Sequence, residues 1–292
     1  KIKRTRFKIA KLSIMIVSDL LNLGSKILKI NKVKTHQLDA EIILSSLLEK
    51  KREQIIINSG EKVSNSNINN FNELITRRSR REPIAYILKE KEFWSKSFFV
   101  NRSTLIPRPE TELLCDCIVK KIKKRNPYIL DIGTGTGCIL LSILSEIKKA
   151  KGIGIDISKK TIDVAKKNSF NLGLDRRVNF FTKSLDGIYN YKFDLVVSNP
   201  PYIKTSNIKN LSSEVRKFEP KIALDGGKDG LDVIKKVIYK SKTILKKKGL
   251  LALEIGYGQH YKVSQILKDQ GFREELLVKD YRNNIRCILA RF

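Results

Sequence analysis

Apolar residues recur at three- and four-residue spacing between Ser13 and about Arg80: Ile14, Val17, Leu20, Leu21 and Leu28, then Leu38, Ile42, Leu44, Leu47 and Leu48. That period lines them up on one side of successive helices and predicts a small helical bundle over 15–85. The polar run Ser64-Asn65-Ser66-Asn67 separates this pair from a further helix, Ile68 to Arg80. From Phe93 to Val100 the pattern alternates as in strands, so a hairpin and a connector through Pro107 and Pro109 are expected over 86–109. Beyond residue 110, short apolar runs alternate with helical stretches. Strands are predicted near 128–132, 152–156, 178–182, 193–198, 250–255, 272–278 and 285–291, with Lys279 to Asn284 as the turn joining the last two. This alternation specifies an α/β domain with a doubly wound, mostly parallel sheet over 110–292. No apolar run reaches membrane-spanning length.

Three strand ends carry candidate chemistry. The apolar run Phe193 to Ser198 ends in Asn199-Pro200-Pro201-Tyr202. Prolines stop a strand because they donate no ladder hydrogen bond, and the first one holds Asn199 away from helical angles. A rigid turn at the carboxyl end of a parallel strand is where such sheets bind ligands. There the Asn199 oxygen, the Pro200 carbonyl and the Tyr202 ring suit a planar group bearing NH2. Upstream, Tyr128 to Ile132 runs into Gly133-Thr134-Gly135-Thr136-Gly137-Cys138 and then an apolar helix. Glycine permits positive φ and close approach of backbone to a ligand. A dinucleotide fingerprint would need its third glycine at position 138, so the spacing argues against NAD. Nineteen residues past Gly137, Asp156 ends a second strand, placed to take both hydroxyls of a ribose, and Ser158 suits the N-cap of the next helix. The plainer readings are that Asp131 only organises the turn and that Asp156 is a solvated strand end. The order of all three features on one scaffold weighs against them.

Composition bounds rather than directs this reading. Lys and Arg number 59 against 30 Asp and Glu, a formal charge of +29, but the lysines lie along almost every segment and are read as solvated faces. They attract phosphate backbones in a salt-dependent way without implying sequence recognition. The four cysteines show no CxxC pairing and there are only two histidines, so neither a disulfide framework nor a zinc site is indicated and a reducing compartment is the default. Six of the first fourteen residues are Lys or Arg, none is acidic, and the only methionine is Met15. This leader is read as a disordered basic tail ahead of the natural start, with a transit peptide as the alternative.

The chain resembles the class I S-adenosylmethionine-dependent methyltransferases, and among them the HemK or PrmC family of protein-(glutamine-N5) methyltransferases. The resemblance rests on Arg81 to Ile87, Phe93-Trp94, Thr104 to Glu112, Asp131 to Gly137, Ser198 to Ile203, Phe218-Glu219-Pro220, Ala223 to Leu231 and Glu254-Ile255-Gly256. It implies a Rossmann-like sheet with an antiparallel last strand and an N-terminal helical domain that shapes a wall for a protein substrate, a stabilising cap being the competing role. It further implies S-adenosyl-L-methionine as cofactor, with Asp131 and Asn199 among the residues that bind it, Gly133, Gly135 and Gly137 near its methionyl part and Asp156 on its ribose. Asn199, Pro200, Pro201 and Tyr202 would hold the substrate amide, with Asn199, Pro200 and Tyr202 carrying the transfer. The implied substrate is the glutamine of the Gly-Gly-Gln loop of class I release factors, acted on by a cytoplasmic monomer with no membrane or specific nucleic-acid partner.

Two departures stand out. The acidic residue expected after the third strand is displaced in Thr182-Lys183-Ser184-Leu185-Asp186, so Ser184 is read as its substitute against adenine. Lys89 occupies a position where relatives usually have glycine. Lys204 to Lys217, polar and without strong periodicity, is read as a flap over substrate. An N6-adenine or other nucleic-acid amino methyltransferase is the main alternative, since an exocyclic amine fits the same turn, although no base-extruding module is evident. A noncatalytic binding protein of the same fold is the second.

Overall fold

The computed structural model describes residues 15–189 and 191–292, so the basic leader lies outside the described residues. Two compact units divide after Leu88.

The first unit contains α1 (Val17–Ile30), α2 (His36–Leu48), α3 (Arg52–Ile57), α4 (Asn65–Ser79) and α5 (Ile84–Leu88). Its core is Val17, Leu20, Leu28, Ile43, Leu44, Phe71 and Ile75, all at most 1% exposed. Gly24 lets α1 close on α4, because a Cβ there would lie 2.6 Å from the Phe71 ring. The sequence reading needs three amendments here. Helix α4 starts at Asn65, because Ser64 is its N-cap and accepts from the Asn67 amide at 3.2 Å. Helix α3, only six residues long, was too short to show a period. On α2 the buried row is Asp39, Ala40, Ile43 and Leu44, while Leu38 is exposed. Asp39 goes inside because Arg78 Nε donates to its Oδ2 at 2.7 Å and Thr35 Oγ1 donates to the same oxygen at 2.8 Å.

The second unit opens with a hairpin, β1 (Glu90–Phe93) and β2 (Lys96–Phe99). Trp94 and Ser95 turn it with φ of 54° and 53°, the doubly left-handed turn that matches strand twist. Lys89, at its base, also has positive φ, 60°, and its carbonyl accepts from Val100 N. The glycine expected there is thus a backbone preference that lysine meets under strain.

The remaining elements are α6 (Glu112–Lys121), β3 (Tyr128–Ile132), α7 (Cys138–Glu146), β4 (Lys151–Asp156), α8 (Lys159–Asn171), β5 (Val178–Thr182) and β6 (Phe193–Ser198). They continue with α9 (Ser213–Phe218), α10 (Asp232–Ile244), β7 (Leu245–Glu254), α11 (His260–Asp269), β8 (Arg273–Lys279) and β9 (Ile285–Arg291). The sheet order is β5-β4-β3-β6-β7-β9-β8, parallel except that β9 runs antiparallel to both neighbours. This is the doubly wound sheet that the pattern predicts, with the last strand in sequence reversed. Helices cover both faces: α7 and α8 pack over one apolar cluster, α10 and α11 over the other. The 204–217 stretch carries a 3-10 turn, Thr205–Asn210, and α9. No helix among the described residues is long and apolar enough to cross a membrane.

Asp39→Ala is expected to lower unfolding stability by about 3 kcal/mol, since it removes the carboxylate to which the buried Arg78 Nε donates. Lys89→Gly is expected to raise it by up to about 1 kcal/mol, relief of the left-handed strain outweighing the extra backbone freedom. Urea unfolding of each purified variant measures both.

Candidate active site

Strands β3 and β6 are adjacent and in register, with Ile132 opposite Ser198. Strand order reverses between them, so the chain leaves β3 and β6 toward opposite faces and a crevice opens at their carboxyl ends. Ser198 Oγ donates to the Ile132 carbonyl at 2.7 Å and clamps the crevice floor. Gly133 and Asn199, the next residues on each strand, therefore emerge side by side. Both line a cavity of about 330 Å³, within the range of small-molecule sites.

The glycine loop divides by role. Gly133 and Gly135 have positive φ, 69° and 58°, line the cavity, and leave open space where a side chain would stand. Gly137, also left-handed, does not line it: a Cβ there would lie 3.0 Å from Leu141 and 3.2 Å from Phe180. It packs between α7 and the sheet. Asp131 likewise lies behind the loop, fully buried and outside the lining. Its Oδ2 accepts from Thr134 Oγ1 at 2.7 Å, its Oδ1 has no partner, and burial pushes its carboxyl up to about 7. The geometry is that of a brace for the turn.

Asp156 lines the cavity at the end of β4. Its Oδ1 accepts from Ser158 N at 3.0 Å and its Oδ2 from Gly135 N at 3.3 Å, so one carboxylate ties the glycine loop to the next turn. Burial moves its carboxyl upward against those amide donors. Ser158 caps α8 as predicted, accepting from Thr161 N. Ile157, 57% exposed, and Leu185 also line the cavity and were missed in the sequence, where a lone apolar residue after a strand carries no signal. Ser184 lines it beside Lys183 and Asp186. The Cys138 thiol is on the wall, but burial pushes it up to about 12, so it stays protonated and unreactive. The donor set fits a nucleoside: a carboxylate for a diol, apolar side chains for a flat ring, and two bare glycines where backbone meets ligand.

The Asn199-to-Tyr202 turn forms the opposite wall. Asn199 and Pro201 line the cavity, Pro200 is buried beneath, and Tyr202 directs its hydroxyl to Glu254 Oε1 at 3.3 Å. Asn199 Nδ2 donates to Thr111 Oγ1 at 3.2 Å, and Thr111 Oγ1 donates to Glu254 Oε2 at 2.6 Å. Burial raises Glu254 to about 7 against those two hydroxyl donors, and burial followed by the Glu254 charge raises Tyr202.

The segment 223–231 backs the turn. Ile203 N donates to the Leu224 carbonyl at 3.1 Å, Gly226 N returns to the Ile203 carbonyl at 2.8 Å, and Gln259 Nε2 donates to the Tyr202 and Gly230 carbonyls. A Cβ on Gly226 would lie 2.7 Å from the Pro201 carbonyl, so only glycine lets the two backbones approach.

The other segments that looked distinctive in the sequence meet here too. Glu219 accepts from Arg108 Nη2 at 2.6 Å and from Ile106 N at 3.2 Å. Glu112 Oε1 accepts from Trp94 N at 2.8 Å. Among the described residues no cluster of three or more His, Cys, Asp or Glu is placed to hold a metal ion.

Residues 19–88 match the PrmC N-terminal domain family, and residues 109–216 match the methyltransferase small domain family. The release factor glutamine methyltransferase of Caulobacter vibrioides is 39% identical over 255 residues, covering 87% of this chain and 88% of that protein. That of Fusobacterium nucleatum is 38% identical, covering 94% of this chain and 78% of that protein. A bifunctional methyltransferase of Rickettsia conorii is 36% identical over 89% of this chain, which spans only 55% of its length. Among solved structures, a methyltransferase from Pyrococcus furiosus superposes with a TM-score of 0.53 at 15% identity, covering 74% of this chain and 98% of that one, a likeness of fold.

Gly137→Ala is expected to destabilise the protein by about 2–3 kcal/mol in urea unfolding, because the new Cβ meets Phe180 and Leu141 in a left-handed backbone.

Proposed function

This chain belongs to the release factor glutamine methyltransferase family, and we propose on that premise that Asn199 Oδ1, on the cavity wall, and the carbonyl of Pro200, a residue buried beneath that wall, receive the two N–H groups of a glutamine side-chain amide. The reaction is methyl transfer to a release factor glutamine, and the methyl donor is S-adenosyl-L-methionine. The finer assignment is N5 of the glutamine in the Gly-Gly-Gln loop of class I release factors. The observation that carries it is that Asn199 and Pro201 open onto the same cavity as Gly133, Gly135 and Asp156, so acceptor and donor sites share one chamber.

When bound, the donor supplies a methyl group already activated on a sulfonium. The protein's part is to align, and alignment of this kind contributes about 7–11 kcal/mol. Asp156 would hold the ribose hydroxyls, Ile157, Leu185 and Ser184 would receive the adenine, and Gly133 and Gly135 would admit the methionyl chain. Asp131 supports that loop from behind.

An amide nitrogen is a poor nucleophile because its lone pair is shared with the carbonyl. Two acceptors on its N–H groups orient the lone pair toward the methyl carbon and favour the positive charge that develops as the new bond forms. Pro201 contributes an apolar wall. Tyr202 fixes the turn, with its hydroxyl committed to Glu254. As the nitrogen–methyl bond forms and the sulfur–methyl bond breaks, the surplus proton on nitrogen leaves to water. The helical unit, residues 15–88, contributes to holding the protein substrate. The working form is a cytoplasmic monomer.

The test is transfer from labelled S-adenosylmethionine to purified release factor, with a Gln→Ala variant of its Gly-Gly-Gln loop and duplex DNA and RNA alongside. Label on the wild-type factor alone is expected. Label on nucleic acid and none on the factor would overturn the reading. Asn199→Ala is expected to lose about 10²–10³ in turnover with donor binding retained, and Asp156→Ala to weaken donor binding at least tenfold in calorimetry.

A further inference from the structure

An asparagine can serve as acceptor to a substrate NH2 only if its oxygen, and not its nitrogen, faces the site. The two ends of the amide have the same shape, so packing alone does not choose between them. The turn itself supplies no such choice: Pro200 and Pro201 have no N–H, and Tyr202 directs its hydroxyl elsewhere.

The choice is made by Thr111, on the cavity wall, and by Glu254 behind it. Glu254 ends β7 at 2% exposure, with Oε2 2.6 Å from Thr111 Oγ1 and Oε1 3.3 Å from the Tyr202 hydroxyl. An ionised carboxylate only accepts hydrogen bonds. Thr111, itself 2% exposed, has a single hydroxyl proton, and the short contact commits it to Glu254. What Thr111 then offers Asn199 at 3.2 Å is a lone pair, which only the Nδ2 end of the amide can meet. The Oδ1 end is left for the cavity.

We propose that Thr111 is a positioning residue for methyl transfer: with its proton held by Glu254, it fixes the Asn199 amide with oxygen toward the acceptor nitrogen. This deepens the reading of the site as a glutamine methyltransferase and rests on it. Neither Thr111 nor Glu254 moves a proton in the reaction. Glu254 lies outside the cavity wall and has a hydroxyl on each oxygen. The arrangement also explains why Thr111 and Glu254, 143 residues apart, stand in two of the distinctive segments of the chain.

The test compares Thr111→Val, which keeps shape and loses the hydroxyl, with Thr111→Ser, which keeps the hydroxyl. With release factor as substrate, Thr111→Val is expected to lower kcat at least about tenfold, with S-adenosylmethionine affinity within about threefold of wild type. Thr111→Ser is expected to stay near wild type. A second measurement needs no substrate: hydrogen exchange of the Asn199 side-chain NH2, assigned by loss of its signals in Asn199→Ala. Exchange is expected to be slow in wild type and Thr111→Ser and at least about tenfold faster in Thr111→Val. Wild-type kcat in Thr111→Val, or unchanged exchange in that variant, overturns the proposal. If the wild-type protein labels no release factor, the functional reading fails on its own, and the exchange comparison still decides whether Thr111 orients Asn199.

Discussion

The pairing of Ile132 with Ser198 is the constraint on which the site depends. Two parallel strands in that register end level with each other, and the chain beyond each strand must turn away into a different layer of helices. The glycine loop and the Asn199 turn are thus neighbours although 66 residues separate Ile132 from Ser198. A slip of one residue would exchange the two faces of β6, turning Leu195 and Val197 toward the layer that now holds Phe193 and Val196 and carrying Asn199 out of line with Gly133. The clamp from Ser198 Oγ to the Ile132 carbonyl opposes that slip at the point where it would do most harm.

Around this pair the rest of the domain acts as bracing. Three side chains of one short segment point to three distant places: Arg108 to Glu219, Thr111 to Glu254 and Glu112 to the Trp94 amide. Each carboxylate in this set has a donor on both oxygens or on a defined one, so directed hydrogen bonds offset part of the desolvation it suffers. The segment 223–231 adds backbone contact where a side chain would not fit, at Gly226. Positioning at the turn therefore comes from the β1–β2 hairpin, β6, β7 and two loops, none sufficient alone.

Much of this was legible in the chain. The strands at 128–132, 193–198 and 285–291 were found to the residue, because interior strands covered on both faces read as continuous apolar runs bounded by glycine, proline or charge. The two chemical turns were legible because their composition is costly for any other purpose. What could not be read was direction. Gly137 looks like Gly133 and Gly135 in sequence but faces Phe180 rather than the cavity. Pro200 and Pro201 are adjacent, and only the second lines the wall. Asp39 interrupts an apolar period, and its place inside depends on Arg78, 39 positions later. Local pattern carries periodicity and backbone preference, even at Lys89, whose left-handed backbone accounts for the glycine expected there. It does not carry the partner of a hydrogen bond made across the fold.

Glu254 sets an opposition between endurance and work. Its carboxyl rises from an ordinary 4.5 to about 7 because folding strips it of water. A carboxyl raised in this way contributes stability that is complete below about 4.5 and is lost as pH climbs through about 7. Yet only while it is ionised, the form that folding disfavours, are both of its oxygens, facing Thr111 and Tyr202, acceptors alone. The charge state that arranges the site is thus the one that loosens the molecule. Selection for heat resistance alone would drift toward a neutral residue at 254, and the sturdier protein it returned would have lost the instruction that tells Asn199 which way to face.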